Sequence, residues 1–321
     1  MSTDNPPNVV VVGSANMDVV VPVKHHPRPG ETVLGGALTR VAGGKGANQA
    51  VACARLGATT SFVGSVGQDD AADVLLEALR RDNVNVDDVV RRDRASGHAL
   101  IAVNESGENT IVVSAGANAA LVAEDLPAEL VASAHALLLQ LEIPIEAVMA
   151  AAAQTSGLVV LNPAPAGDLP SELLAATDVL VPNLSELAHL TGQREDPQTV
   201  AEIAELARTI AGPTAVVVTV GVEGAVVVQH KDVVHVPALP VHAVDTTAAG
   251  DTFCAALTVT LAKVSRQADT HRASWQFADL VAAVEYAVQA ASITVSHHGA
   301  QPSIPTAEKV AAAVSSAAQR G

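Results

Sequence analysis

Short runs of β-branched and aliphatic residues recur along the chain, each followed by a longer stretch with helical spacing, and this alternation constrains the fold most. The runs are Asn8 to Val12, Thr60 to Val66, Ala136 to Gln140, Leu158 to Asn162, Val179 to Pro182 and Ala215 to Val220. Continuous apolar strands need cover on both faces, and the helices between them supply the crossovers of parallel pairing. The helical stretches have readable ends. Gly46 to Leu56 stops at Gly57, Ala71 to Arg81 repeats apolar positions at helical spacing, and Pro144 to Thr155 opens with proline in the first turn. The expected architecture is an α/β fold of three layers, α/β/α, around a mostly parallel sheet.

Two stretches break the rhythm. Val19 to Val41 and Gly97 to Val113 read as antiparallel hairpins, the second with Ala99 to Val103 and Thr110 to Val113 joined by the turn-rich Asn104 to Asn109. Together they form a small antiparallel β lid, built from insertions at about 17–42 and 96–115 in one α/β domain spanning residues 1–321. A chain of this length buries enough surface to need no disulfide or metal staple. A late hairpin, Ala225 to His230 with Val233 to Val236, precedes a helix from near Ala249 and a long one from Trp275 to Val295. A sheet with an uncovered face must cover a ligand, a second chain or both.

Composition narrows the partners. Hydrophobic residues form 49% of the chain, yet no apolar run approaches the eighteen or so residues of a membrane span, and Met1 to Asn8 is polar. We therefore expect a cytoplasmic protein without signal peptide or membrane segment. A formal charge of -16 repels polyanions, which argues against nucleic acid; a phosphate-bearing substrate would need a local cluster of fixed donors. Cys53 and Cys254 lie in Ala-rich helical stretches and read as buried free thiols. The pairs His25-His26 and His297-His298 lack the helical spacing and flanking carboxylate of a zinc site.

A donor cluster is available in Asp245-Thr246-Thr247-Ala248-Ala249-Gly250-Asp251, which runs directly into Thr252-Phe253-Cys254-Ala255. Small residues at a helix mouth leave backbone N–H groups unpaired and aimed one way, and the helix dipole adds partial positive charge. A carboxylate beside a bound anion suits a base that removes a proton from an alcohol attacking phosphorus. It also suits a first-turn residue that stabilises the dipole, and this run alone leaves both open. A second glycine-rich loop, Gly43-Gly44-Lys45-Gly46-Ala47-Asn48-Gln49, is neither a Walker A loop, since Gly46 follows Lys45, nor a dinucleotide fingerprint. A third motif, Gly13-Ser14-Ala15-Asn16-Met17-Asp18, sets an amide and a carboxylate after the first strand, where open α/β sheets bind ligands.

In order along the chain, Gly-x-x-Asn-x-Asp, Gly-Gly-Lys-Gly-Ala-Asn-Gln-Ala, Asn-x-x-Glu, Asp-Thr-x-Ala-Ala-Gly-Asp and Gly-Ala-Gln-Pro-Ser resemble the ribokinase family of carbohydrate kinases, from about Val9 to Pro305. The resemblance implies a ribokinase-like fold and ATP-dependent phosphorylation of D-ribose at its 5-hydroxyl. Asp251 would be the base, with Ala248, Ala249 and Gly250 holding the phosphoryl group in transit. Sugar contacts would come from Asn16, Asp18, Lys45, Asn48 and Glu142 with backbone groups of Gly43 and Gly44. ATP would lie against Thr219, Gly221, Gly224 and Gly250, with Asn183 and Glu186 organising phosphate, water and Mg²⁺. A K⁺ site would use Asp245, Ser303 and the main-chain carbonyls of Thr247, Thr294, His297 and Gly299. Val288 stands where relatives often carry a polar side chain near adenine. Val264 to Ser274 is longer than usual and reads as a polar surface insertion.

Within that family the acceptor could also be 2-deoxyribose, fructose or a nucleoside. A nucleoside needs a platform for its base, usually aromatic, and neither lid segment contains Phe, Tyr or Trp. A sugar sensor without catalysis is the reading from another class, and the intact Ala-Ala-Gly-Asp run argues against it. The exposed lid edges lead us to expect a homodimer with lids packed together.

Overall fold

The computed structural model describes residues 5–267 and 275–318. Its centre is an eight-stranded sheet in the order Asp232–Val236, Ala225–Gln229, Ala215–Thr219, Val179–Leu180, Leu158–Leu161, Ala136–Leu139, Asn8–Val12 and Thr59–Val63. The six strands from Ala215–Thr219 to Thr59–Val63 run parallel, and the late hairpin closes one edge antiparallel. Side chains alternate across the sheet, so a continuous apolar run feeds both faces. Val9 and Val11 enter one buried cluster, packed with helices Lys45–Arg55, Ala249–Gln267 and Phe277–Thr294; Val10 and Val12 enter the other, packed with Ile145–Gln154 and Val200–Thr209. These are the three layers expected. No helix among the described residues is long and apolar enough to cross a membrane. Cys53 and Cys254 are free and buried.

Two expectations are corrected. The run Thr60 to Val66 is two strands: a Cβ on Gly64 would lie 2.6 Å from the Gly13 carbonyl oxygen, so the chain turns there without a side chain. Beyond the turn, Ser65–Val66 leaves the main sheet to pair with Val90–Arg91. The lid is also not wholly antiparallel. Asn16–Pro22 pairs antiparallel with Thr39–Gly43, and Gly97–Val103 with Asn109–Ser114, but the hairpins join through a parallel pair, Asn16–Pro22 with Gly97–Val103. Asn16–Pro22 follows the main-sheet strand Asn8–Val12 and Gly97–Val103 follows the small-sheet strand Val90–Arg91, yet both begin side by side, Asn16 opposite Gly97, and run the same way. Of the longer segment, Val264 to Gln267 completes the helix Ala249–Gln267, and 268–274 lie outside the described residues.

Candidate active site

Parallel strands deliver their functional residues at their carboxyl ends. After Asn8–Val12 the chain turns through Gly13, Ser14 and Ala15 into the lid strand that carries Asn16 and Asp18; after Ala136–Leu139 it reaches Gln140 and Glu142. The helix Lys45–Arg55 begins against the first of these turns. A Cβ on Gly46 would lie 2.5 Å from the Ser14 nitrogen, and one on Gly44, whose φ is +91°, 2.6 Å from the Asn16 nitrogen. Only glycine permits that approach in that conformation, which is why this loop is glycine-rich.

Glu142 is the hub of the first group. Its Oε2 accepts hydrogen bonds from the Ser14 hydroxyl at 2.6 Å, Asn16 Nδ2 at 3.3 Å and the Lys45 main-chain N–H at 3.2 Å. Asn16 Oδ1 accepts in turn from Asn118 Nδ2 at 2.7 Å, and Asn118 also bonds both main-chain groups of Ala15. Ser14 lies within the Gly13 to Asp18 motif, whereas Asn118 belongs to none of the motifs. Asp18 sits over Gly43, where a Cβ would come within 2.2 Å of Oδ2, and its carboxylate takes no hydrogen bond among the described residues. Burial, with the Glu142 and Asp251 carboxylates nearby, pushes its pKa up to about 7. Burial works to lower the pKa of Lys45, but Asp251, Glu142 and Glu186 outweigh it and the ammonium is held charged.

Asp251, 7% exposed, lies in the first turn of Ala249–Gln267. Asn48 Nδ2 donates to its Oδ2 at 3.0 Å and Gln49 Nε2 to its Oδ1 at 3.1 Å. Burial is the largest influence and raises its pKa, with Lys45 and the two amides opposing. Asn48 Oδ1 is buried and meets no donor among the described residues, so it can accept from a ligand hydroxyl.

The mouth of the same helix opens on a cavity of about 420 Å³ walled by Thr219, Gly221, Gly224, Ala249, Gly250 and Val288. Ala248 takes a left-handed φ of +60°, a costly conformation for a residue with a side chain. The donors this turn frees differ slightly from those expected. Main-chain N–H groups of Ala248, Gly250 and Asp251 meet no acceptor among the described residues, whereas Ala249 N–H closes on the Thr246 carbonyl at 3.3 Å. Asn183 and Glu186 form a reciprocal cap on the helix Leu184–Leu190, with Asn183 Oδ1 accepting from Glu186 N–H at 2.8 Å and Glu186 Oε2 from Asn183 N–H at 2.9 Å. Asn183 also bridges to Thr219, which brings the pair to the cavity wall. Burial moves Glu186 upward, against the cap and Lys45.

Two of the segments expected to hold K⁺ meet at Asp245, which lies beside this loop and bonds Gly299. Asp245 Oδ1 accepts from Thr247 N–H at 2.9 Å and its hydroxyl at 2.6 Å, and Oδ2 from Gly299 N–H at 2.9 Å. Burial alone would raise the pKa of Asp245, but these bonds hold it below the usual carboxylate range. Thr294 Oγ1 and Thr252 Oγ1 share a 3.0 Å hydrogen bond, which ties the segment to the Asp251 helix; His297 N–H bonds the Thr294 carbonyl at 3.1 Å, and Ser303 Oγ the Ala300 carbonyl at 2.7 Å. A larger open groove of about 910 Å³ runs beside Arg40, Arg55 and Arg81, away from Asp251; Arg55 and Arg81 are already paired there with Asp82 and Glu77.

Residues 6–307 match the family described as pfkB family carbohydrate kinase. The ribokinase of Staphylococcus aureus is 37% identical over 310 residues, covering 94% of this chain and 98% of that protein. A bifunctional ribokinase/ribose-5-phosphate isomerase A of Fructilactobacillus sanfranciscensis is 38% identical over 309 residues, which cover 94% of this chain, and the chain spans 55% of its length. The solved structure of Arabidopsis thaliana ribokinase complexed with ribose and ATP matches with a TM-score of 0.84 at 32% identity, over 96% of this chain and 98% of that one. With its strand order, its glycine-rich helix mouths and this similarity along nearly its whole length, the chain belongs to the pfkB family of carbohydrate kinases.

Proposed function

We propose that this chain transfers the γ-phosphoryl group of ATP to the 5-hydroxyl of D-ribose, giving ribose 5-phosphate and ADP. The observation that carries the reading is the position of Asp251 between two compartments: it shares Asn48 with the sugar-side residues, while its helix mouth lines the cavity bounded by Thr219, Gly221 and Gly224. A polyol needs donors and acceptors fixed at the spacing of its hydroxyls. Asn16, Asp18, Lys45, Asn48, Glu142 and the backbone of Gly43 and Gly44 supply both, and the free Asp18 carboxylate and Asn48 Oδ1 are acceptors that a sugar fills.

Asp251 takes the 5-hydroxyl proton as that oxygen bonds to the γ-phosphorus and the bond to the ADP oxygen breaks. The N–H groups of Ala248, Gly250 and Asp251, with Lys45, meet the negative charge on the transferring oxygens. Ala249 and Gly250 shape the cavity wall, and Val288 gives adenine an apolar surface. Among the described residues no three His, Cys, Asp or Glu side chains form a metal cage, so Mg²⁺ would draw on phosphate oxygens and waters, with Asn183 and Glu186 ordering those waters. The carboxylate of Asp245 and the carbonyl-rich segments around Thr247, Thr294, His297, Gly299 and Ser303 fit a K⁺ ion, which would brace the loop that opens the helix.

A panel of ribose, 2-deoxyribose, fructose and adenosine with ATP and Mg²⁺, run in K⁺ and in tetramethylammonium at matched ionic strength, tests these assignments. Ribose in K⁺ is expected to react fastest. A better acceptor among the others refutes the ribose assignment, and equal rates in both cations refute the K⁺ site.

Asp18 sets a pH dependence. A carboxylate with a pKa of about 7 changes charge near neutrality. Its ionised form accepts charge-assisted bonds from hydroxyls, roughly twice as strong as neutral ones. Ribose affinity is therefore full above that pKa and falls as pH drops through it. Calorimetry should find ribose binding weaker by up to about tenfold at pH 6 than at pH 8, and a flat profile in Asp18→Asn. A flat wild-type profile would take Asp18 out of the binding set.

The lid also supports a homodimer. Leu100 faces the same side as Val112, and Ile111 and Val113 face the other; all four are about half exposed. One sugar beside Asp18 covers part of one face, and a second lid would cover the rest. Sedimentation yielding only monomer at micromolar concentration would refute this.

A further inference from the structure

Gln49 is fully buried on the helix Lys45–Arg55, next to Asn48. Its Nε2 donates to Asp251 Oδ1 at 3.1 Å and reaches Asn162 Oδ1 at 3.4 Å, while its Oε1 accepts from Gln140 Nε2 at 2.8 Å. Asn162 Nδ2 is taken by the Val181 carbonyl at 3.0 Å. These amides have only one consistent polarity. An ionised carboxylate can only accept, so Gln49 must turn its NH₂ toward Asp251. Its carbonyl then faces Gln140, which must answer with its own NH₂, and Asn162 can offer Gln49 only its oxygen. The cost of this order falls on Gln140, whose Oε1 is buried and meets no donor among the described residues. Gln140 is also pinned, since its amide fills the space beside Gly13, where a Cβ would lie 1.9 Å from Oε1. Four elements of the fold thus converge to aim a single NH₂ at one oxygen of Asp251.

We propose that Gln49 is a positioning residue: backed by Gln140 and Asn162, it holds Oδ1 of Asp251 so that Oδ2, beside Asn48, is the oxygen that takes the sugar proton. This rests on the reading of Asp251 as the base and deepens it. Oδ2 also accepts from Asn48, but Oδ1 is fixed by an amide that is itself locked, so the carboxylate cannot swing away from the attacking hydroxyl; a misplacement of about 1 Å at a reacting group costs on the order of 10² in rate. The groups around Asp251 pull both ways: Lys45 favours its ionised form, while Glu142 opposes it, and Asp18, Glu186 and the Cys254 thiol share the same field. Gln49 also favours the ionised form, so removing its donor moves the titration of Asp251 upward.

Gln49→Met keeps the length of the side chain without its donor, and Gln140→Met leaves Gln49 in place but removes what orients it. The measurements are kcat and ribose KM across pH, and the Asp251 carboxyl titration by ¹³C NMR, assigned with Asp251→Asn. Gln49→Met should lower kcat by about 10- to 100-fold, leave KM within about threefold and raise the Asp251 midpoint. Gln140→Met should move kcat and midpoint the same way by less, and it decides the question alone if Gln49→Met does not fold. An unmoved midpoint, or a fall in kcat matched by an equal rise in KM, overturns the proposal. Wild-type protein that phosphorylates no sugar would refute the kinase reading instead, and the midpoint would still decide whether Gln49 holds the carboxylate.

Discussion

Asp251→Asn is expected to lose on the order of 10² to 10⁴ in kcat for ribose while still binding ribose and ATP. The substitution keeps the shape of a side chain that is 7% exposed, so no cavity is created. What changes is polarity. Asn48 and Gln49 both donate to the carboxylate, and the new amide can accept from only one of them. Gln49 is locked by Gln140, but Asn48 Oδ1 meets no donor among the described residues, so Asn48 can turn over and accept from the new NH₂ while offering its own NH₂ to the sugar hydroxyl, which accepts as readily as it donates. Burial already works against the charge on Asp251, and removing that charge relieves a desolvation cost, while Glu142 and Glu186 remain to balance Lys45. Folding and ligand binding should therefore survive, and the loss should fall on turnover. The check is ADP release in steady state, beside calorimetric Kd values for both ligands and a thermal melt. Turnover close to wild type would remove Asp251 from the chemistry.

The main sheet is legible in the sequence because parallel strands buried on both faces leave a simple trace, an unbroken apolar run such as Val9 to Val12. The parallel pairing inside the lid leaves none. It follows from the folded chain bringing Gly97 beside Asn16, so that the two strands leave side by side in the same direction. The break at Gly64 is equally invisible, since it depends on the carbonyl of Gly13, distant in sequence. At the site, residues within glycine-rich loops can be found because a helix mouth that holds an anion needs small residues in a row. Asn118, Gln140 and Asn162 have no such signature. Gln140 lies 91 positions from Gln49, and Gln49 lies 202 from Asp251, so their connection exists only in three dimensions. The resemblance names Ala248, Ala249 and Gly250 as the residues that hold the phosphoryl group, and which of their N–H groups are free depends on the turn: Ala249 N–H bonds the Thr246 carbonyl, while those of Ala248, Gly250 and Asp251 meet no acceptor among the described residues. Asn183 and Glu186 suit two duties at once, since the cap they form uses only Oε2 of Glu186, and Oε1 bonds no group among the described residues.

Gly250→Ala should yield a protein at least as stable as wild type and slower in turnover by on the order of 10². The residue lies in the first turn of the helix Ala249–Gln267 and is not among the glycines with left-handed φ, so alanine fits the backbone. Replacing glycine where the backbone is compatible stabilises by about 0.4–1 kcal/mol, chiefly by restricting the unfolded chain. A Cβ on Gly250 would meet nothing within 4 Å, so packing raises no objection. Gly44, at the other helix mouth, is the opposite case. Its φ of +91° and the Asn16 nitrogen 2.6 Å from its would-be Cβ make glycine a requirement of folding. Folding gives no such reason for Gly250, and the cavity it lines supplies one. Its free N–H must come within about 2.7–3.1 Å of a phosphoryl oxygen to stabilise developing charge, and a methyl group on the same atom's neighbour crowds that approach. The variant should therefore melt no lower than wild type, bind ribose unchanged, and lose kcat with ATP. Wild-type kcat in Gly250→Ala would mean that the phosphoryl group does not pass this helix mouth, and the assignment of its free N–H groups to catalysis would be wrong.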